Sequence, residues 1–379
     1  MKKIPSRFAK VIPMPRFPLW ERLHSQKKAL SLDLELTCRC NLNCRHCYIN
    51  LSAGDKKAQE KELSFNQIKR IVDEAACQGA VWCLLTGGEP LLRKDFFEIY
   101  LYLKQKGLLV SLFTNATLIT PAHVELFKKY PPRDIEVTVY GVTKETYERV
   151  TRCKGSFKAF WRGLNLLLKN GVRVRLKSTV MRANFKELAL IREFCNQHTK
   201  DYFRFDPFLH LRLDRNPARN REIVAERLTP EEIVQIERDD HKRIHALKKD
   251  CDRLIQERFR YPKGNRLFYC GAGSGSFYIT YDGYFKLCSS LHHPRFMYDL
   301  KKGSIRNAFN KIRPRVLSAV SYKEGFLKKC SVCSIVNLCL WCPAHTYLET
   351  KTLDSPVDYF CAVAHARKEA IEKAIIRKK

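Results

Sequence analysis

Between residues 31 and 206 the chain alternates short apolar or period-two runs with longer stretches whose apolar residues recur at helical spacing. "LDLELT" (32–37) alternates as a strand does. "SFNQIKRIVDEAACQGA" (64–80) predicts a helix, with Ser64 placed to cap it. "VWCLLT" (81–86) is short and apolar, like a buried strand. "KDFFEIYLYLKQKG" predicts a helix closed by Gly107, "LLVSLFTN" (108–115) a strand, and "TPAHVELFKKY" a helix with Pro121 at its first position. "DIEVTVYG" (134–141) then reads as a strand and "FKAFWRGLNLLLKNG" as a helix closed by Gly171. "VRVRLKSTV" (172–180), "NFKELALIREFCNQH" and "DYFRFD" (201–206) complete the series as strand, helix and strand. Cys77, Cys83 and Cys195 fall on apolar faces and are expected in the core.

Six strand–helix units in succession predict an α/β fold with a parallel sheet and right-handed crossovers. An open doubly wound sheet and a barrel, or part of one, both fit. In either, chemistry belongs on the loops that leave the C-terminal ends of the strands. Residues 207–265 are heavily charged, with "LTPEEI" a helix start at Thr229 and Pro230, and suggest a helical connector. Cysteines multiply from Cys270 onward, and "SFYITYDGYFKLC" (276–288) predicts a hairpin turning at Asp282–Gly283. The division expected is a basic arm (1–30), an α/β core (31–206), a connector (207–265), a cysteine-rich domain (266–362) and a basic helical tail (363–379).

Sixteen cysteines in 379 residues, with no secretory signal in the proline-broken N-terminus, point to metal or cluster ligation rather than disulfides. No apolar run reaches the length of a membrane span, so a cytoplasmic location is expected. The formal charge of +31 would suit nucleic acid, an acidic peptide or an anionic surface. Lys and Arg are spread along the whole chain, and no helix-turn-helix or RNA-recognition pattern appears. Specific nucleic-acid binding is therefore not expected.

The chemistry concentrates in "CRCNLNCRHCY" (38–48), after the first strand, where Cys40, Cys44 and Cys47 form C-x3-C-x2-C. Three thiolates can hold three irons of a [4Fe–4S] cube and leave the fourth open. With Cys38 as a fourth thiolate, the same stretch would instead close a zinc site. "TGGEP" (86–90) follows the second strand. Gly87 and Gly88 allow close backbone approach, and Glu89 adds a carboxylate able to hold an ammonium. Further on, Cys270 and Cys288 flank the hairpin, and Cys330, Cys333, Cys339, Cys342 and Cys361 follow. Zinc ribbons also use C-x2-C pairs, but seven cysteines leave an odd number after any site built from four thiolates.

The cysteine triplet followed by GGE at the next strand end resembles the radical S-adenosylmethionine enzymes over roughly residues 31–206. "TNATLIT" (114–120) and "VTVYGVTKETYERVTRCKGSF" (137–157) continue the likeness. The resemblance implies a partial (β/α)6 barrel of the TIM type. It implies that Cys40, Cys44 and Cys47 ligate a [4Fe–4S] cluster whose open iron takes S-adenosyl-L-methionine, the source of a 5'-deoxyadenosyl radical. His46 would lie near the adenine, and Gly87, Gly88 and Glu89 would receive the methionine ammonium. Asn115, Thr138 and Arg152 would offer polar contacts to ribose or carboxylate.

The seven later cysteines are similar in order and spacing to the SPASM extension, which holds two auxiliary iron–sulfur clusters of the [4Fe–4S] type. The likeness implies one cluster on Cys330, Cys333, Cys339 and Cys361, and another on Cys270, Cys288 and Cys342 without a fourth cysteine, which leaves an open iron, a non-cysteine ligand or fewer irons as alternatives. Cys339 and Cys342 stand two residues apart where that family usually has three. Enzymes of this kind modify peptides or proteins, so a peptide substrate is expected, an acidic one matching the +31 charge, and a reducing partner such as flavodoxin or ferredoxin. Sulfatase-maturing relatives place an Asp directly after the second extension cysteine, where this chain has Ser289. With about thirty residues before the first strand, an N-terminal peptide-recognition domain is not expected. A small-molecule enzyme of cofactor biosynthesis is the alternative expectation, and a zinc or nucleic-acid-binding protein a remoter one.

Overall fold

The computed structural model describes residues 29–240, 264–268, 270, 275–339 and 341–376. The N-terminal arm up to residue 28, Cys251 and the last three residues of the tail lie outside the described residues.

The six expected strands form, in order, β1 (Ser31–Thr37), then β4 (Trp82–Gly87), β5 (Leu109–Thr114), β6 (Asp134–Thr138), β7 (Val174–Thr179) and β8 (Arg204–Asp206). Two short strands, β2 (Arg39–Cys40) and β3 (Leu51–Ser52), pair with each other inside the cysteine loop. The helices between them are α1 (Lys56–Lys61), α2 (Phe65–Cys77), α3 (Phe96–Gln105), α4 (Pro121–Lys129), α5 (Lys144–Thr151), α6 (Ser156–Lys169) and α7 (Leu188–His198). Local chemistry sets their starts. Ser64 and Thr120 each close a capping box with the third residue of their helix, satisfying amides that a first turn leaves without partners. Gly107 and Gly171 follow their helices at φ +76° and +68°, where a side chain would be strained.

β1, β4, β5, β6, β7 and β8 are parallel neighbours in that order. Register puts Leu34, Leu85 and Leu112 side by side on one face, each fully buried with Ile71, Ile99 and Leu103 of the helices. Each such leucine contributes roughly 1.5–3 kcal/mol by leaving water. The opposite face is polar: Glu35 pairs with Thr86, Thr138 with Lys177, and Thr179 with Asp206. A strand turns successive side chains to opposite faces, so these residues share the inner side of the curved sheet.

Four features depart from the sequence expectations. The hairpin β9 (Ser276–Ile279) and β10 (Tyr284–Lys286) turns at Asp282–Gly283 as expected, but β9 pairs in parallel with β1. With β11 (Tyr298–Asp299) it extends the core sheet to nine strands, in the order β11-β10-β9-β1-β4-β5-β6-β7-β8. Cys77 is exposed, because α2 ends there, while Cys83 and Cys195 are buried. Helix α5 interrupts the stretch expected to run from strand to a single helix.

The connector supplies α8 (Pro217–Glu226) and α9 (Pro230–Arg238), the latter with the expected Thr229 cap. After β11 come α10 (Ile305–Leu317), α11 (Pro343–Thr350) and α12 (Asp358–Ile376). The fourth departure is that α12 begins before the expected tail and is anchored. Ala364 and Ile371 are buried against Ile335 and Leu338, and Arg367 binds Glu237 of α9 through both guanidinium and carboxylate forks.

Candidate functional site

The cysteine loop leaves β1 at the C-terminal edge of the sheet and is held from several sides. Leu51 donates to the Cys38 carbonyl at 2.9 Å, closing the loop on itself. Asn43 and Arg45 donate backbone N–H bonds to Thr151 and Val150 at the end of α5. Two arginines of the connector reach the loop carbonyls. Arg212, 3% exposed, donates to Cys47 and Asn50 at 3.2–3.3 Å, and Arg219 donates to Cys44 at 3.0 Å. The charged composition of the connector was legible in the sequence, but not that two of its arginines clasp the cysteine loop.

The Gly-Gly-Glu turn locks against this loop. Gly88 donates to the Thr37 carbonyl at 2.7 Å, and Glu89 to the Arg39 carbonyl at 2.9 Å. A Cβ on Gly87 would fall 2.2 Å from the Thr37 oxygen, and one on Gly88 2.2 Å from the Arg39 oxygen. Both glycines are thus required by the crossing of two backbones. Glu89 is fully buried beside them and does not line the cavity. Its carboxylate accepts from Thr114 Oγ1 and the Asn115 amide, both at 2.8 Å, and from the Leu91 amide at 3.2 Å. Burial raises its pKa to about 7, against the lowering effect of those donors.

A cavity of about 220 Å³ opens between these turns and the ends of the strands. Cys40, Cys44 and Cys47 line it together with His46, Gly87, Gly88, Asn115 and Thr138. Cys38 is buried outside it. Asn115 Nδ2 donates to Asn41 at 3.0 Å and lies 3.8 Å from the Cys40 sulfur, which also accepts the Leu42 amide at 3.4 Å. His46 lies against Tyr140, ring centres 5.2 Å apart, and burial with the nearby Arg219 charge lowers its pKa to about 4. Arg152 is elsewhere: it lines a cleft on the outer side of the cysteine loop and binds Glu222 at 2.9 Å.

Among the wall residues that sequence reading missed are Lys177, Asp206 and His210. Lys177 lies 3.9 Å from the centre of the Phe113 ring and 2.5 Å from Glu136, and Asp206 ends β8. His210 stacks on His345 of α11 with ring centres 3.8 Å apart, linking the cavity to the helix capped by Cys342. The alternation of β7 and β8 places Lys177 and Asp206 on the inner face and could have found them. His210 has no such signal.

The donor set fits an iron–sulfur cluster. Burial, reinforced at Cys40 and Cys44 by neighbouring negative charge, pushes all three cavity thiols above their usual pKa. They would not ionise without a metal to take the charge. Among the described residues no three His, Cys, Asp or Glu side chains converge on one ion position.

The later cysteines gather in two groups. Cys330, Cys333, Cys339 and Cys361 lie within electrostatic reach of one another. Cys288 and Cys342 lie within reach of each other and of Cys270. Cys339 accepts the Trp341 amide and Cys342 the His345 amide, each at 3.4 Å, the N–H···S bonding that suits cluster thiolates. A second cavity, of about 150 Å³, lies beyond Tyr48 and Ile49 and is lined by Glu35, Cys38, Asp282 and His292 among others. Among the described residues no helix is long and apolar enough to cross a membrane.

Residues 34–195 match the Radical SAM superfamily. The chain is 36% identical over 154 residues to an AdoMet-dependent heme synthase of Methanosarcina barkeri, covering 41% of this chain and 43% of that protein. It is 33% identical over 180 residues to the mycofactocin maturase MftC of Mycolicibacterium smegmatis, covering 47% and 44%. The match thus spans less than half the length of these curated relatives. The fold is similar to that of SuiB from Streptococcus suis. Bound to S-adenosylmethionine, SuiB gives a TM-score of 0.66 at 14% identity, over 94% of this chain and 83% of that one. Bound to its precursor peptide SuiA, it gives 0.67 at 14% identity, over 90% and 78%.

Proposed function

From the premise that residues 34–195 are a radical SAM domain, we propose that the chain is an enzyme that cleaves S-adenosylmethionine reductively and modifies a peptide or protein. The observation that carries this reading is the single cavity wall shared by Cys40, Cys44, Cys47, Gly87 and Gly88 at the C-terminal ends of the strands. When bound there, a [4Fe–4S] cluster with one iron open to S-adenosylmethionine supplies the electron that releases a hydrogen-abstracting 5'-deoxyadenosyl radical.

The chain's own residues have separable tasks in this reading. Cys40, Cys44 and Cys47 hold the cluster, and Arg212 and Arg219 fix the loop that presents them. His46 offers a neutral ring to the adenine at ordinary pH. The Gly87–Gly88 backbone would receive the methionine ammonium, while Glu89 acts from behind by fixing Thr114 and Asn115. Asn115 and Thr138 line the cavity and would contact the polar parts of the cofactor, and Arg152 braces the loop through Glu222. Cys330, Cys333, Cys339 and Cys361 hold one auxiliary cluster, and Cys270, Cys288 and Cys342 the other.

A peptide substrate is supported by the maturase relative and by a +31 chain suited to an acidic leader. A flavodoxin- or ferredoxin-type protein would supply the electron. The heme synthase likeness favours a second reading, a small-molecule substrate. The test is anaerobic incubation of the iron-loaded protein with dithionite and S-adenosylmethionine. The proposal expects 5'-deoxyadenosine, and its absence at full iron loading overturns the enzyme reading. Salt-sensitive binding of a candidate acidic precursor supports the peptide reading; turnover of an iron porphyrin instead supports the second.

A further inference from the structure

A buried ammonium stands beside the second cysteine group. Lys286 lies on β10 two residues before Cys288 and is fully buried. Its Nζ donates to the Ser289 carbonyl at 2.8 Å, on the residue that follows Cys288, and lies 4.7 Å from the centre of the Tyr278 ring. Register explains the placement. Lys286 is directly paired with Tyr278 across the hairpin, and Tyr278 with Asp33 of β1. Lys286, Tyr278, Asp33 and Glu35 therefore share the inner face of the sheet. Glu35, 4% exposed, is the negative charge that acts most on Lys286, followed by Cys288 and then Asp282.

Stability alone is a poor reason for this pair. Taking both charges out of water costs several kcal/mol per ion, and burial accordingly pulls the Lys286 pKa down and the Glu35 pKa up. Neither residue lines the cavity of Cys40, Cys44 and Cys47. What Lys286 does touch is the backbone turn that presents Cys288. A cluster on thiolates is anionic, and its potential depends on nearby charge and on hydrogen bonds around its sulfurs. In a dry site a fixed positive charge acts strongly on an added electron.

We propose that Lys286 raises the reduction potential of the cluster held by Cys270, Cys288 and Cys342, making it the readier one-electron acceptor, and that Glu35 tempers its field. The inference rests on reading those cysteines as cluster ligands.

The test uses the full chain with Cys40, Cys44 and Cys47 changed to Ala, loaded with iron anaerobically and titrated with dithionite while EPR follows reduction. The cluster on Cys330, Cys333, Cys339 and Cys361 is the internal reference. Lys286→Met is expected to shift one of the two potentials to more negative values, Glu35→Gln to shift the same one to more positive values, and Lys286→Arg to leave it near its original value. Unmoved potentials at equal iron content, or equal-signed shifts for Lys286→Met and Glu35→Gln, overturn the proposal. Should Lys286→Met fail to load iron, the opposite behaviour of Glu35→Gln and Lys286→Arg decides it. A parent protein that binds no iron in its C-terminal half refutes instead the assignment of the cysteines.

Discussion

Gly88 offers a sharp perturbation because its neighbours are all main chain. A Cβ there would lie 2.2 Å from the Arg39 oxygen, 2.6 Å from its carbon and 2.7 Å from the Cys38 oxygen. Ordinary contact at about 3.5 Å requires the two turns to part by roughly 1 Å. No rotamer relieves the clash, since backbone bonds at 2.7 Å and 2.9 Å clamp Gly88 and Glu89 to Thr37 and Arg39. Overpacking of this kind costs about 1–3 kcal/mol and lowers Tm by a few degrees. The displaced segment leads straight into Cys40, and a misplacement of ~1 Å near reacting groups costs on the order of a hundredfold in rate. Gly88→Ala should therefore fold, melt slightly earlier and form 5'-deoxyadenosine about a hundred times more slowly. Gly54→Ala is the control, because nothing lies within 4 Å of the position its Cβ would take. A Gly88→Ala protein with unchanged Tm and rate would refute the crossing of the two turns.

Arg212→Ala removes the donors to Cys47 and Asn50 and the partner of Asp214, and should cost about 2–3 kcal/mol in anaerobic denaturant unfolding, with less iron retained per chain. Unchanged stability and iron content would count against its bracing role. Burial raises the Asp33 carboxyl from 3.8 to about 6, so the folded protein holds that proton more tightly than the unfolded chain. Its contribution thus falls as pH rises from about 4 to about 6. Asp33→Asn should flatten the decline in unfolding free energy across that window, and a parallel decline would contradict the burial argument. Cys38→Ala should keep S-adenosylmethionine cleavage near the wild-type rate, because Cys38 does not line the cavity of the other three thiols. Loss equal to that of Cys44→Ala would restore the four-thiolate site.

Local signals made most of the core legible. Capping residues at Ser64, Thr120 and Thr229, and glycines at 107 and 171, mark helix ends through interactions a few residues long. The spacing of Cys40, Cys44 and Cys47 was visible for the same reason. What stayed hidden depends on contacts between distant segments. Parallel pairing of β9 with β1 joins residues more than two hundred positions apart, and the hairpin reads identically whether or not it docks. Arg212 looks like one more charge in a charged connector until the fold brings it to Asn50. Glu89 and Arg152 show the converse: a motif identifies a residue before it shows which way the side chain turns. Glu89 turns to Thr114 and Asn115, and Arg152 to Glu222.

The central claim is that Cys40, Cys44 and Cys47 hold a cluster with one iron left open to S-adenosylmethionine. The most direct measurement is EPR of the anaerobically reduced protein with and without added S-adenosylmethionine, beside the same pair for Cys40→Ala. The account predicts a change in the spectrum on addition that is absent from the variant. A spectrum indifferent to S-adenosylmethionine in the fully loaded wild-type protein, or one that responds equally in Cys40→Ala, would contradict it.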